Sequence, residues 1–273
     1  MIAVLLSITA LAWDGEFLYV ARPGGVDVYR EGKLVRSLGE DKRKVMALAA
    51  RGKRVAEGGG LAGSRGEVRI WEDGKLLHRI EAHADLVYRV AWSEDGRFLF
   101  TAGGDSKVGV IDAEAGRLVE TLEGHTGPVL ALAVRGGTLV SGGADRTLRV
   151  WKDGKLVRTI ANHWEPVHAL AWSPDGRYLA SGSADRTVRV WQPEIGRLVR
   201  IVKGHEGAVL DLAWTEKHLV SASSDGKVRL IAPDDVSILK SLEISGDWIN
   251  TVVAAGPRLR AGDAAGRLIE VAE

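Results

Sequence analysis

The feature that most constrains this chain is an internal repeat of about 40 residues. Short segments in which aliphatic residues alternate with other residues each end in a large apolar residue, and these end residues are 40 positions apart: Trp71, Ile111, Trp151, Trp191, Ile231 and Val271. A weaker copy ends at Tyr29, at nearly the same interval before Trp71. Seven copies of about 40 residues each account for the chain's length of 273 residues.

Each copy predicts four short antiparallel strands. In the fifth copy, Val167 to Trp172 alternates with the period of a strand, and the turn sequence Ser-Pro-Asp-Gly follows at 173–176. Two further strands and a fourth at Arg197 to Val202 complete the unit. Four short antiparallel strands in one repeat form a propeller blade. We therefore predict an all-β fold, a seven-bladed β-propeller of four-stranded antiparallel blades, as a single domain over residues 1–273.

The repeat resembles the WD repeat. The marks are Gly124-His125 and Gly204-His205, the spacings Ser141/Asp145, Ser181/Asp185 and Ser221/Asp225, and the third-strand residues Trp151 and Trp191. One departure is that Lys152 and Gln192 stand where the family usually has an aspartate after the tryptophan. The resemblance covers nearly the whole chain and implies a WD-repeat propeller.

The resemblance also implies a structural network in each blade, in which a His, a Ser or Thr, an Asp and a Trp are joined by hydrogen bonds. Blade four carries the full set His125, Ser141, Asp145 and Trp151, and blade five carries His163, Ser181, Asp185 and Trp191. Blades three and six have all but the Trp, with Ile111 and Ile231 in its place. In blade seven the matching positions are Ser245, Ala261, Ala265 and Val271, so we expect no network there. Because the Ser/His/Asp sets recur in phase, we interpret them as structural and not catalytic.

Composition excludes several function classes. Lys plus Arg is 37 and Asp plus Glu is 36, which argues against binding nucleic acid or an anionic membrane by bulk charge. There is no Cys, and the histidines show no metal-ligand spacing, so we expect no metal site. No glycine-rich loop precedes a helix, and we expect no cofactor and no enzymatic activity. The scarcity of Asn and Gln, with Asn162, Asn250 and Gln192 the only ones, indicates a thermophilic source.

Candidate partner-binding residues lie where first strands begin. Trp164 and Trp248 fall in the loops that enter the first strands of blades five and seven, and each is either an exposed anchor or a ring folded over its own loop. Reading the first strands in register places one further set at the mouth of the axial channel: Tyr88, His168 and Asn250, with the charged pair Arg89 and Asp211 one position deeper. These two charges either point into a water-filled channel or form part of a ligand or peptide site.

Few residues are left to close the ring of blades. The chain stops at the third strand of blade seven, and only Met1 to Ser7 remain to supply both a fourth strand and the crossing to blade one. A crossing of about 14 Å takes four or more of them at ~3.3 Å per residue. We therefore predict that the fourth strand of blade seven is missing or only two to three residues long. The edge at Arg267–Val271 would then be open to a partner or to a second copy of the chain.

From the resemblance we expect a non-catalytic scaffold in the cytoplasm that binds other proteins or peptides through the rim and the axial mouth. We expect a monomer or a dimer paired at the open edge. Two alternatives stay open: a regulatory or sensor module that a partner chain completes, and a propeller enzyme with a site in the axial channel. The second would need converging acids and bases, and the mouth offers one His and no carboxylate.

Overall fold

The computed structural model describes residues 7–39, 44–61, 63–255 and 258–271. These residues form 27 strands in seven antiparallel sheets, and in every sheet each strand pairs with the next one in sequence. No helix occurs among the described residues, so none there is long and apolar enough to cross a membrane. The predicted seven-bladed all-β propeller is confirmed.

The first three blades contain four strands each. Blade one has β1 (Ala10–Trp13), β2 (Leu18–Arg22), β3 (Gly25–Arg30) and β4 (Lys33–Leu38). Blade two has β5 (Lys44–Arg51), β6 (Arg54–Leu61), β7 (Arg65–Glu72) and β8 (Lys75–His83). Blade three has β9 (Val87–Trp92), β10 (Phe98–Gly103), β11 (Val108–Asp112) and β12 (Arg117–Leu122).

The next three blades also contain four strands each. Blade four has β13 (Val129–Arg135), β14 (Thr138–Gly143), β15 (Thr147–Lys152) and β16 (Lys155–Ala161). Blade five has β17 (Val167–Trp172), β18 (Leu179–Ser183), β19 (Val188–Gln192) and β20 (Arg197–Val202). Blade six has β21 (Val209–Trp214), β22 (Leu219–Ser223), β23 (Lys227–Ile231) and β24 (Ile238–Glu243).

The seventh sheet has three strands among the described residues: β25 (Ile249–Ala255), β26 (Arg258–Asp263) and β27 (Leu268–Val271). This agrees with the prediction of an incomplete last blade. The segment that could supply a fourth strand, residues 2–6, lies outside the described residues.

The third-strand residues that end the repeats occupy equivalent positions. Trp151 pairs with Leu139, Trp191 with Leu179, and Val271 with Leu259, in each case a leucine at or next to the start of the second strand. Ile111 and Ile231 have the same relation to Leu99 and Leu219. The period of the sequence is therefore also a period of the structure.

Close approach of neighbouring blades explains a recurring glycine on the second strand. The first strands line the axis, and each contacts the first strand of the next blade. A Cβ added to Gly182 would lie 2.6 Å from Cγ1 of Val209, and one added to Gly142 would lie 2.7 Å from Cγ1 of Val167. Such distances are too short for packed carbon atoms, so only glycine lets the next blade pack this closely.

Apolar clusters between blades close the ring. Each pair of neighbouring blades shares a buried cluster, and blade one also packs on blade seven through Ile8 and Leu11 against Val253 and Leu268. The backbone N–H of Ile8 donates to the carbonyl of Asp263 at 3.0 Å, and the Asn250 side chain donates to the carbonyl of Ile8 at 3.0 Å. The two ends of the repeat array are therefore joined through the inner part of the sheets.

Candidate functional site

The four network residues of blade five form one continuous chain of hydrogen bonds. The indole N–H of Trp191 donates to Oγ of Ser181 at 2.8 Å, and that Oγ lies 2.7 Å from Nε2 of His163. The other ring nitrogen of His163 lies 2.7 Å from Asp185 Oδ2. We call this set the blade-five tetrad. It links the third strand, the second strand, the entering loop and the turn of one blade.

The aspartate fixes the direction of the protons in this chain. Because a carboxylate can only accept, Nδ1 of His163 carries the ring proton and donates it to Asp185. Nε2 of the neutral ring then accepts from the hydroxyl of Ser181, which itself accepts from the indole N–H of Trp191. Burial lowers the pKa of His163, which favours the neutral ring that this arrangement requires.

Asp185 also holds the turn that follows it. Its carboxylate accepts the backbone N–H of Trp164 at 3.2 Å and both the N–H and the hydroxyl of Thr187 at 3.0 and 2.6 Å. Burial alone would raise the pKa of this carboxyl, but the hydrogen bonds from His163 and Thr187 outweigh it and hold the pKa well below its usual range. The charged form of Asp185 is therefore a component of the folded structure.

Blade four repeats this arrangement with nearly the same distances. Trp151 donates to Ser141 at 2.9 Å, Ser141 lies 2.8 Å from Nε2 of His125, and Nδ1 of His125 lies 2.9 Å from Asp145. Blade three has the His–Thr and His–Asp contacts between His83, Thr101 and Asp105, at 2.7 and 2.9 Å.

Blade six departs from the pattern. His205 keeps its contact with Ser221 at 2.8 Å, but its buried Nδ1 has no hydrogen-bond partner among the described residues. Asp225 instead accepts from the guanidinium of Arg229 at 2.8 Å. Blade three also has Ile111 in place of the tryptophan, but it has Gly109 at the position of this arginine and keeps its His–Asp contact. The lost contact in blade six therefore accompanies the close approach of Arg229 to Asp225 and not the missing indole. Burial, with the charge of Arg229, lowers the pKa of His205 to about 4.

Blade seven corrects the expectation that it has no network. Ala265 stands at the position of Asp185, as the sequence shows, but the fully buried Asp263 supplies a carboxylate two residues earlier. Ser245 donates to it at 2.9 Å, and Nε of Arg267 donates at 2.6 Å. The entering loop and the turn are joined as in the other blades, with Ser245 in the place of the histidine and Arg267 as a second donor.

Arginines on the third strands are a structural feature that the motif analysis missed. Arg149, Arg189 and Arg229 lie four residues after the turn aspartates and approach them at 3.9, 3.3 and 2.8 Å. In blade two Arg69 occupies the same register opposite the buried Glu57 and also bonds Glu67 at 2.8 Å. The signal was present, because Arg recurs two residues before Trp71, Trp151, Trp191 and Ile231.

The charged candidates in the axial channel contact each other. Arg89 of blade three reaches across to Asp211 of blade six, with Nη2 3.2 Å from Oδ1. The second carboxylate oxygen of Asp211 accepts from the hydroxyl of Thr251 and the N–H of Val252, at 2.9 and 3.0 Å. Both charges therefore have partners within the protein. Burial, with a contribution from the charge of Arg89, lowers the pKa of His168.

The two leftover tryptophans are exposed on one face. Trp164 is 75% exposed and Trp248 is 58% exposed. Trp164 lies in the loop before β17 and Trp248 immediately before β25. Because all first strands run the same way along the axis, these loops are at the same end of the propeller as the partly buried Tyr88 and His168. We call this end the entry face. A ring folded over its own loop does not describe either tryptophan.

The fold and its buried polar contacts define a class: a repeat propeller in which blades three to seven are held by polar side chains of their own repeat. The family model for the WD domain, G-beta repeat, matches residues 74–112, 116–152, 154–192 and 196–231, more than half of the chain. The chain therefore belongs to the WD-repeat family, which confirms the resemblance.

Several curated proteins are similar to parts of this chain. The nuclear distribution protein PAC1 of Coccidioides posadasii is 31% identical over 137 residues, which are 41% of this chain and 29% of that protein. An uncharacterized WD repeat-containing protein of Synechocystis is 40% identical over 92 residues, 32% of this chain and 26% of that protein. The COMPASS component SWD3 of Saccharomyces cerevisiae is 34% identical over 92 residues, 32% of this chain and 29% of that protein. Each of these matches spans less than a third of the relative.

Proposed function

We propose that this protein is a non-catalytic scaffold that binds a protein or peptide on its entry face, with Trp164 and Trp248 as anchors. The observation that carries the proposal is the exposure of these two rings on the same end of the propeller. Tryptophan is enriched among the residues that dominate binding energy, and these two are the most and the third most exposed of the large hydrophobic residues that the structure describes. The mouth residues Tyr88, His168 and Asn250 would form the inner part of this surface.

The loop that carries Trp164 is held before a partner arrives. Its N–H is bonded to Asp185 of the blade-five tetrad, and its carbonyl accepts from Arg146 at 3.4 Å. Trp248 is held in a similar way, because its carbonyl accepts the N–H of Ala264 at 2.9 Å. An anchor on an ordered backbone loses less conformational freedom on binding, which favours affinity.

Burial of the Ser/His/Asp sets supports the non-catalytic assignment. Ser141, Ser181 and Ser221 are fully buried, so their hydroxyls cannot reach a substrate in solution. The Arg89–Asp211 pair is satisfied within the channel and presents no free acid or base there. The near balance of charge supports a protein partner over nucleic acid or a membrane surface. The name of one relative, COMPASS component SWD3, describes a part of a larger assembly.

The test is affinity capture from an extract of the source cells, followed by quantitative mass spectrometry. The comparison is between the wild type, the double variant Trp164→Ala/Trp248→Ala and the control Val157→Ala/Leu239→Ala. The control residues are 53% and 55% exposed on outer fourth strands. We expect partners that the wild type and the control retain and the tryptophan variant loses. Partners retained equally by all three proteins would refute the assignment of the entry face.

A second candidate is a regulatory module whose seventh blade is completed by another chain. The observation that favours it is that β27 ends the seventh sheet in the described part of the chain, with β26 as its pairing partner. An added strand would pair along the outer side of β27. Hydrogen–deuterium exchange of the β27 amides distinguishes an open edge from an edge that another chain covers.

A further inference from the structure

Three blades pack a tryptophan of their own against the preceding blade, and in blade one Trp13 lines a groove toward blade seven that stays open at about 670 Å³. Trp13, Trp92, Trp172 and Trp214 end the first strands of blades one, three, five and six. The indole N–H of Trp92 donates to the carbonyl of Ala49 in blade two at 3.0 Å, and that of Trp214 donates to the carbonyl of Ala171 in blade five at 3.1 Å. In blades three and six an indole at this position therefore bridges two blades, whereas the buried indole nitrogen of Trp172 in blade five has no hydrogen-bond partner among the described residues.

Blade four lacks this indole. Val134 takes its place, because it pairs with Leu139 as Trp172 pairs with Leu179. Blades two and seven also have a smaller residue there, Ala50 and Ala254; beside Ala50, Phe17 of blade one packs into the same apolar cluster.

Beside Val134 lies a groove of about 920 Å³ between blades three and four. Phe98 and Phe100 form one wall, and Val134, Leu139 and Trp151 belong to the other. Its volume is enough for an aromatic side chain together with part of the segment that carries it. Ala91 of blade three has the register of Ala49 and Ala171, since it pairs with Phe100 as Ala171 pairs with Ala180. Its carbonyl is therefore the equivalent acceptor for an indole N–H.

The rim of the groove is mostly acidic. It carries Glu94, Asp95, Asp112, Glu120 and Asp153 against Arg97 and Arg117. The guanidinium of Arg97 lies over the ring of Phe98, 5.0 Å from its centre, and Glu94 accepts the N–H of Gly136 at 3.1 Å. Several carboxylates around an apolar floor favour a ligand with an apolar centre and cationic flanks.

We propose that this groove binds a partner segment that places a tryptophan between lysine or arginine residues, the indole taking the place that Trp92, Trp172 and Trp214 fill in their own grooves. The groove is at the ends of the first strands, opposite the entry face where those strands begin. It is therefore a second surface, independent of Trp164 and Trp248.

The experiment measures binding of fluorescein-labelled peptides by anisotropy at low ionic strength. The probes are Lys-Lys-Trp-Lys-Lys, its analogue with Ala for Trp, and Glu-Glu-Trp-Glu-Glu. We expect the first peptide to bind about tenfold or more tightly than either of the others, because only it has both features. Equal affinities for the three peptides, or no binding of the first at millimolar concentration, would overturn the proposal.

Variants locate the site. Val134→Trp supplies the indole in cis and should weaken binding of the first peptide about tenfold or more, whereas Val134→Leu should not. A second variant, Glu120→Lys/Asp153→Lys, changes only rim charges and should weaken binding without affecting the core. Unchanged peptide binding by Val134→Trp or by Glu120→Lys/Asp153→Lys would refute the site.

Trp164→Ala/Trp248→Ala should bind the peptide normally, so this test and that of the entry face can fail separately. If light scattering showed a dimer that Val134→Trp dissociates, the occupant would be a second copy and the proposal would be wrong.

Discussion

Replacing Asp185 by alanine should lower the free energy of unfolding by roughly 2–4 kcal/mol. The substitution removes the acceptor for Nδ1–H of His163, for the backbone N–H groups of Trp164 and Thr187, and for the Thr187 hydroxyl. It also leaves the guanidinium of Arg189, which is 3% exposed, without the carboxylate 3.3 Å away.

The magnitude follows from which of these groups water can reach. The loop N–H of Trp164 is exposed and can bond to water, so its loss costs little. His163 and Arg189 are buried, and each keeps a second partner, Ser181 and the carbonyl of Asn162 respectively. One buried donor on each is therefore left unsatisfied at about 1–3 kcal/mol per group, of which local relaxation recovers a part.

The assay is urea unfolding followed by circular dichroism, with the melting temperature as a second readout. The expected loss corresponds to a decrease of roughly 4–7 °C in the melting temperature for a chain of this size. The control is Asp175→Ala, which removes an exposed turn aspartate that accepts from Ser173 and Arg177 and should cost roughly 0.5 kcal/mol. If Asp185→Ala melts within a degree of the wild type, the structural interpretation of the tetrads is wrong.

Three further predictions concern the tetrads and the last blade. Trp191→Phe keeps the ring but removes the N–H that Ser181 accepts, and should cost about 1–2 kcal/mol in urea unfolding, whereas a loss below about 0.3 kcal/mol would show that the indole hydrogen bond does not stabilise the blade. The pKa of His205 is about 4 in the folded protein and 6.5 in the unfolded chain, so the unfolded chain binds the proton more tightly. The contribution of His205 to the free energy of unfolding is therefore fully present above pH 6.5, decreases by about 3 kcal/mol as the pH falls to 4, and changes no further below that pH. His205→Gln should reduce that pH dependence by the same amount, and an unchanged slope would contradict the assignment. In hydrogen–deuterium exchange by mass spectrometry, β27 should exchange faster than β19; equal protection in the isolated protein would mean that a strand covers its edge.

Contacts within one repeat were predictable from the sequence. The Ser and the Asp are four residues apart in both repeats, and the ring nitrogens of His125 and His163 reach them although these histidines lie 16 and 18 residues before the Ser. The position of the hydroxyl relative to the Trp depends only on the pairing of the second and third strands. A repeated motif therefore carries information about side-chain geometry as well as about the fold.

Contacts made by residue types other than those of the motif were not predictable from the motif. In blade seven the network position Ala265 is empty of polar groups, and the carboxylate comes from Asp263 with Arg267 as its donor. The repeat motif specifies the same residue at the same position, whereas folding requires only that some buried donor and acceptor join the loop to the turn. Contacts between distant repeats were not predictable for another reason. Register placed Arg89 and Asp211 in one ring, but whether they meet depends on side-chain rotamers across the axis.

Departures from the repeat are of two kinds, and burial separates them. Where a departure lies in the interior, as at Asp263 or Glu57, the surrounding groups mostly compensate for it, because an unsatisfied buried polar group destabilises the blade; Nδ1 of His205 is an exception. Where it lies at the surface, nothing in the fold requires compensation. Trp164 and Trp248 add apolar area to the entry face, and Val134 removes an indole from a groove at the other end of the strands. Folding alone explains neither the added rings nor the missing one. The addition and the removal both leave apolar surface that a partner can cover, which is why binding is best sought at these three positions and not in the tetrads that the repeat preserves.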